Sequence, residues 1–352
     1  MHKKTEEPRP VRTDAPLPDE DVVLDVEDLV IHYELETATV EAVNGISFQV
    51  KKGRTIGLVG ETGAGKTSTA LAIMNLVPDP PGVIKRGRIL VCGQDILAMK
   101  PHELERVRGK DVSMIFQDPM TSLNPVITVG EQIAESVYLH EDVSREEAYE
   151  RAEQMLELVG IPAVRGREYP HQFSGGMKQR VVIAIALACN PRVLLADEPT
   201  TALDVTIQAQ ILDMMGELKD RLGTALVMIT HDLGVVAKTC DDVAVMYAGR
   251  IVEHGTLEEV FNHTKHPYTE GLFNSLPSIS DRRAELRPIP GLTPDPTRLP
   301  AGCAFAPRCQ YATEACKAAL PQPRSFSATH RVCCTRYDEP DFRIQRGEKE
   351  NG

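Results

Sequence analysis

Hydrophobic positions along the chain change period several times, and each change predicts an element. Val22 to Val26 and Val43 to Val50 alternate apolar with polar residues and read as strands. Thr55-Ile56-Gly57-Leu58-Val59 is an apolar run of strand length that feeds into a glycine-rich loop. Lys66 to Leu76 then reads as a helix stopped by Pro78. Met114 to Phe116, Val193 to Ala196 and Ala225 to Ile229 are further short apolar runs with the look of buried strands. Between Asp118 and Pro191 the period is mostly helical. Arg145 to Val159 sets Ala148, Ala152, Met155, Leu156 and Val159 on one face, and Val181 to Ala188 reads as a buried helix. Buried strands alternating with helices predict an α/β fold with a mainly parallel sheet covered on both faces, and a helical lobe inserted over about 118–190. Residues 1–20, rich in proline and charge, read as a disordered or draped arm. Past His263 proline and cysteine accumulate, and 263–338 reads as a small irregular Cys-rich domain followed by a tail, 339–352.

Charge and composition narrow the partners. The net charge of -12 speaks against a nucleic-acid surface, which is usually basic. The longest uninterrupted apolar stretch, Val181 to Cys189, is far short of the roughly 20 residues a bilayer span needs. The charged start Met1 to Glu7 has no apolar core after it, so no secretory signal is expected and the chain is expected in the cytoplasm. Disulfides are unfavourable in that compartment. Of the eight cysteines, Cys92, Cys189 and Cys240 are expected to be buried reduced thiols, whereas Cys303, Cys309, Cys316, Cys333 and Cys334 crowd together and suggest a metal or cluster site.

Six blocks in fixed order carry the candidate chemistry. Gly60-Glu61-Thr62-Gly63-Ala64-Gly65-Lys66-Thr67, followed by Ser68, is a phosphate-binding loop between a strand and a helix. Its glycines let the backbone approach phosphate oxygens, and its amides and the helix terminus form an anion site. Lys66 supplies a compact charge, and Thr67 a hydroxyl for Mg²⁺. Asp197 closes an apolar strand, where a carboxylate can hold the Mg²⁺ shell, and Glu198 beside it can orient or deprotonate water. His231 and Gln117 also follow strand ends, where one can reach a γ-phosphate and the other Mg²⁺ or the attacking water. Ser174-Gly175-Gly176, 107 positions past Thr67, opens a helix and offers a second anion site. A phosphate contact so remote is most useful to a second copy of the fold.

Together these blocks resemble the ATP-binding subunit of ABC transporters. The resemblance implies a RecA-like P-loop cassette over 21–262 with an added antiparallel β subdomain. It makes Gly60 to Thr67 the Walker A loop, Gln117 the Q-loop, and Ser174 to Gln179 the signature, with Phe173 for the usual Leu and Met177 for the usual Gln. It makes Asp197 the Walker B aspartate, Glu198 the catalytic glutamate, Ala202 to Asp204 the D-loop and His231 the switch histidine. Tyr33 falls where an aromatic stacks on adenine. The signature of one subunit would cover the ATP on its partner's loop, so a second ATPase, two permease subunits and an extracytoplasmic solute-binding protein are implied. The pair is expected to be a heterodimer, peripheral on the cytoplasmic face of the membrane. A soluble ABC ATPase of the chromosome or repair type would need a long coiled coil that is not present.

A narrower resemblance is to the ATPases of peptide and nickel importers. It rests on Phe116 to Pro125, Phe173 to Arg180, His266-Pro267-Tyr268-Thr269, Ile289-Pro290-Gly291 and Gly302 to Cys309. It implies di- or oligopeptide cargo, with nickel chelates, heme or short sugars as alternatives. It also implies a [4Fe–4S] cluster on Cys303, Cys309, Cys316 and Cys334, with Cys333 beside the fourth ligand. The spacing lacks the close pairs usual for structural zinc.

Overall fold

A computed structural model of the chain describes residues 21–201, 203–275 and 288–345. The expected arm 1–20, Ala202 of the D-loop and most of the tail lie outside them. Two sheets form the frame. The smaller is antiparallel, order β2-β1-β4-β5, built from β1 (Val22–Glu34), β2 (Thr39–Lys51), β4 (Gly82–Val91) and β5 (Gln94–Asp95). The larger has eight strands: β3 (Thr55–Val59), β6 (Val112–Ile115), β7 (Val193–Asp197), β8 (Ala225–Thr230), β9 (Asp242–Tyr247), β10 (Arg250–Thr256), β11 (Arg324–Ser325) and β12 (Arg331–Val332). Their order is β11-β12-β10-β9-β3-β8-β7-β6. The pairs β9–β3, β3–β8, β8–β7 and β7–β6 are parallel, and those beyond β9 antiparallel.

The strands β3, β7 and β8 are buried along their whole length. That is why their sequences are continuous apolar runs and not alternating ones. β1 and β2 are longer than the alternating stretches suggested, because hairpin pairing and register shifts carry them past the polar positions. β9 and β10 carried no expectation, and β4 none either. Each mixes polar residues into its run, and only pairing with a neighbour decides the period.

Helices Val129–His140, Arg145–Leu158 and Gly175–Leu187 fill the stretch between β6 and β7. Ser144 caps the second, accepting from the Glu147 amide while the Glu147 carboxylate accepts from the Ser144 amide. Its buried face is Ala148, Ala152, Met155 and Leu156, packed with Ile133, Val137 and Ile183 in the larger core.

The Cys-rich stretch, expected as a small irregular domain, is joined to the large sheet. β12 pairs with β10, and the Cys333 amide donates to Val252 O at 2.8 Å, so the extension lengthens the large sheet. Phe305 belongs to the same core as Val59 and Tyr247. The reason is the exposed ladder of β10, an edge whose amides and carbonyls take a further strand. Cys189 and Cys240 are buried thiols as expected, but Cys92 is exposed, at φ +49 in the turn between β4 and β5.

Candidate functional site

The strand order sets the site. β3, β8, β7 and β6 are adjacent and parallel, with Val59 opposite Thr230, Asp197 opposite Ile229, and Ile115 opposite Ala196. Residues that follow these strands therefore emerge side by side at the carboxyl edge, where ligands bind in open α/β sheets. Gly60, His231, Glu198 and Gln117 are those residues.

The loop after β3 depends on its glycines. Gly60, Gly63 and Gly65 have φ +155, +83 and +98. A Cβ on Gly60 would stand 2.1 Å from Met246 O, and one on Gly65 2.3 Å from Ala42 O. The backbone has no room for a side chain at either point. Ala64 is buried beneath the loop, and Glu61 is tied down by a guanidinium from the far end of the chain. Lys66, the first residue of helix Lys66–Ile73, is 8% exposed, and its Nζ donates to Gly60 O at 2.7 Å and Glu61 O at 3.1 Å. Burial draws its ammonium below the usual range, against the opposing pull of Glu198, Asp197 and Glu61. The Tyr33 hydroxyl, from β1, donates to Ser68 Oγ at 3.2 Å, which sets the ring beside the start of that helix.

Asp197 is buried, and burial raises its carboxyl while a hydrogen bond from the Thr67 hydroxyl opposes the rise. Two hard oxygen donors thus already face each other, a set that suits Mg²⁺. Glu198 has φ +47, a left-handed turn that carries its side chain out of the strand direction. There it collects three partners. Gln117 Nε2 donates to Oε2 at 3.0 Å, Thr201 Oγ1 donates to Oε2 at 2.9 Å, and His231 Nδ1 lies 2.8 Å from Oε1. Burial works to raise this carboxyl, but the bonds from His231 and Thr201 outweigh it and hold it below the usual range. Glu198 is therefore an ionised acceptor. Thr201 was not singled out in the sequence; a Thr three residues past Glu198 had no distinguishing signal.

Ser174, Gly175 and Gly176 are not gathered into this group. Ser174 is exposed at the N-cap of Gly175–Leu187 and makes no side-chain capping bond. The side chains nearest the two glycines are Leu203 and Ile207. Asp204 caps helix Val205–Leu222 from an exposed position, also without a side-chain capping bond. Phe173 is buried under the Arg165 guanidinium, 4.6 Å from its ring centre.

Cys303, Cys309, Cys316 and Cys334 line one small cavity with His266, Phe305 and Ala306, and Cys333 is not among its walls. Burial raises the Cys303 thiol, pushes Cys309 to about 11 and Cys334 to about 12. Among the described residues, no three His, Cys, Asp or Glu side chains converge as one metal ion requires. The expectation of a metal centre is not met at that level: the thiols surround a space and do not meet at a point.

Comparison with known proteins agrees with this geometry. A family profile described as "ABC transporter" matches residues 43–201, and one described as "Oligopeptide/dipeptide transporter, C-terminal region" matches 252–316. The chain is 52% identical over 313 residues to the oligopeptide transport ATP-binding protein OppD of Bacillus subtilis (strain 168), covering 88% of this chain and 87% of the relative. It is 48% identical over 323 residues to OppD of Salmonella typhimurium, covering 91% and 96%. Among solved structures it resembles the dimeric post-hydrolysis state of the ATP-binding cassette MJ0796 bound to ADP and Pi. That match has a TM-score of 0.60 and 25% identity, over 66% of this chain and 98% of the other. Another match is cbiO1 of Clostridium perfringens, part of the ABC transporter complex cbiONQ, at TM-score 0.59 and 30% identity, over 69% of this chain and 91% of that one. No described helix is long and apolar enough to cross a membrane. The chain belongs to the oligopeptide/dipeptide importers of the ABC family, as their ATP-binding and ATP-hydrolysing subunit.

Proposed function

We propose that ATP lies on the loop Gly60–Thr67 with its adenine against Tyr33, and that Glu198 orients the water that attacks the γ-phosphate. The observation that carries this reading is the meeting of Gln117, Thr201 and His231 on the Glu198 carboxylate, at the strand edge where Lys66 and Asp197 also sit. Thr67, Asp197 and Gln117 would hold Mg²⁺, which when bound neutralises charge on the phosphates. Catalysis then rests on position. The loop amides and Lys66 hold the phosphates, Glu198 holds the water, and His231 is released from Glu198 to the γ-phosphate. Glu198→Gln is expected to keep ATP binding and to lower turnover by about 10²–10⁴. A near-normal rate in that variant would remove Glu198 from the role.

The nucleotide would be completed by Ser174–Gly176 of a second ATPase, a different chain in a heterodimer. The exposed, uncapped Ser174 and the dimeric cassette among the structural matches support this. Two permease subunits and an extracytoplasmic solute-binding protein follow from the family, with the chain peripheral on the cytoplasmic side of the membrane. The stretch after Gln117 and the helical segment 118–190 form the docking face. Peptide cargo is supported by the relatives' names and by the matched C-terminal region. Nickel chelates, heme and short sugars are the competing cargoes, and mass spectrometry of solute bound to the purified complex separates them. A non-transport ATPase would fail to co-sediment with membranes.

A [4Fe–4S] cluster on Cys303, Cys309, Cys316 and Cys334 is the second part of the proposal. Its support is that these four cysteines share one cavity, lined largely by apolar groups, and that four thiols around a space suit a cluster better than a single ion. When bound, the cluster would cross-link the loops of the extension through iron–thiolate bonds. Protein purified without air should contain iron and be brown; well-folded anaerobic protein lacking both would overturn the assignment.

A further inference from the structure

Glu61, the second residue of the phosphate loop, is held by groups from the C-terminal extension. Arg308 Nη1 donates to Glu61 Oε2 at 2.7 Å and Nη2 to Oε1 at 3.1 Å, a two-pronged ion pair between residues 247 positions apart. The Arg308 side chain is only 6% exposed. Two further donors are engaged, Nε on Pro290 O at 3.0 Å and Nη1 again on Tyr247 Oη at 3.2 Å. The Glu61 amide donates to Tyr268 Oη at 2.9 Å, from helix Pro267–Asn274. Tyr247, Tyr268 and Phe305 pack as one aromatic group beneath, with ring centres 4.5–5.4 Å apart. Side chain and amide of one loop residue are therefore fixed from outside the cassette's own strands and helices.

We propose that Arg308 is a positioning residue for nucleotide binding, which sets the affinity of the loop by cancelling the Glu61 charge. The inference rests on the reading that Gly60–Thr67 holds the phosphates. The physical reason is electrostatic. A nucleoside triphosphate brings several negative charges to this loop, and an uncompensated carboxylate within it repels them. A bidentate guanidinium cancels that charge while losing less side-chain entropy per hydrogen bond than a lysine ammonium would. The extension thereby tunes the ATP site although it contributes no group to the phosphates.

The test measures the Kd of the full-length chain for a fluorescent ATP analogue at low salt. Arg308→Gln should weaken binding about tenfold. Arg308→Lys, which keeps the charge, should stay within about threefold of the unmodified chain, and so should the double variant Arg308→Gln/Glu61→Gln. A purely structural role for Arg308 gives no such rescue, since the double variant lacks both halves of the tether. Raising the salt should shrink the Arg308→Gln defect. Binding by Arg308→Gln equal to that of the unmodified chain, or a double variant as weak as the single one, overturns the proposal. Should Arg308→Gln not fold, Arg308→Met, which keeps the stem and removes the charge, takes its place in the single and the double variant, with the same tenfold loss and the same rescue expected. Lys66→Ala is the control for the underlying reading. If it binds like the unmodified chain, the loop assignment fails whatever Arg308 does.

Discussion

His231 Nδ1 stands 2.8 Å from Glu198 Oε1, and the two residues arrive there from the ends of neighbouring strands, β8 and β7. An ionised carboxylate can only accept, so Nδ1 carries the proton in this contact. The imidazole is 65% exposed, which leaves it free to turn. His231→Ala should therefore lower kcat of the assembled transporter about 10²-fold with KM little changed. On the proposed mechanism His231 acts through Glu198, so adding His231→Ala to Glu198→Gln should cost almost nothing more. Additive losses in that double variant would separate the two roles.

The loop glycines are not equivalent, and the difference is measurable. A Cβ on Gly60 collides with the Met246 carbonyl, whereas one on Gly63 meets nothing within 4 Å and suffers only from φ +83. Gly63→Ala should cost about 1 kcal/mol of stability, and Gly60→Ala upwards of 3 kcal/mol because backbone must move. Urea denaturation of the isolated chain reads both. Equal effects would mean that the close approach of Met246 does not matter.

Ser174 supplies a test of the two-subunit site. None of the contacts described around Ser174–Gly176 reaches the loop of its own chain, so Ser174→Arg should leave the Kd of the isolated chain for ATP within about twofold. The same substitution should cut ATP hydrolysis by the assembled complex at least about tenfold. A monomer that hydrolyses ATP at the full rate of the complex would refute the shared site.

Glu259 gives the acid dependence of the extension's attachment. Burial opposes its ionisation, yet bonds from Ser327, the Thr256 amide and Thr329 prevail and bring it down to about 2. The unfolded chain binds this proton near pH 4.5, the folded chain only near pH 2. Its contribution is therefore complete above pH 4.5 and is lost as pH falls from there to about 2. Thermal melts of Glu259→Gln should lie below those of the unmodified chain at pH 7 and converge with them towards pH 3. A constant gap across that range would show that the carboxylate's charge is not what matters.

Much of the candidate site was legible because a strand, glycine-rich loop and helix in succession are decided locally. Gly60–Thr67 needs a strand before it, glycines within it and a helix after it, and all three are contiguous in the chain. Asp197, Glu198, His231 and Gln117 were legible for a related reason: each ends an apolar run that can only be a core strand. What the chain could not state was their convergence. That came from the order β3-β8-β7-β6, in which strands far apart in sequence become hydrogen-bonded neighbours, and from the φ of +47 that swings Glu198 towards Gln117, Thr201 and His231. Arg308 was a motif residue without a task until folding brought it to Glu61, and the Cys-rich stretch looked independent until β12 paired with β10. Sequence fixes what is decided within a few residues by backbone sterics and side-chain period. Ion pairs and strand pairings between residues far apart in the chain depend on the relative placement of whole elements, which only the packed core determines.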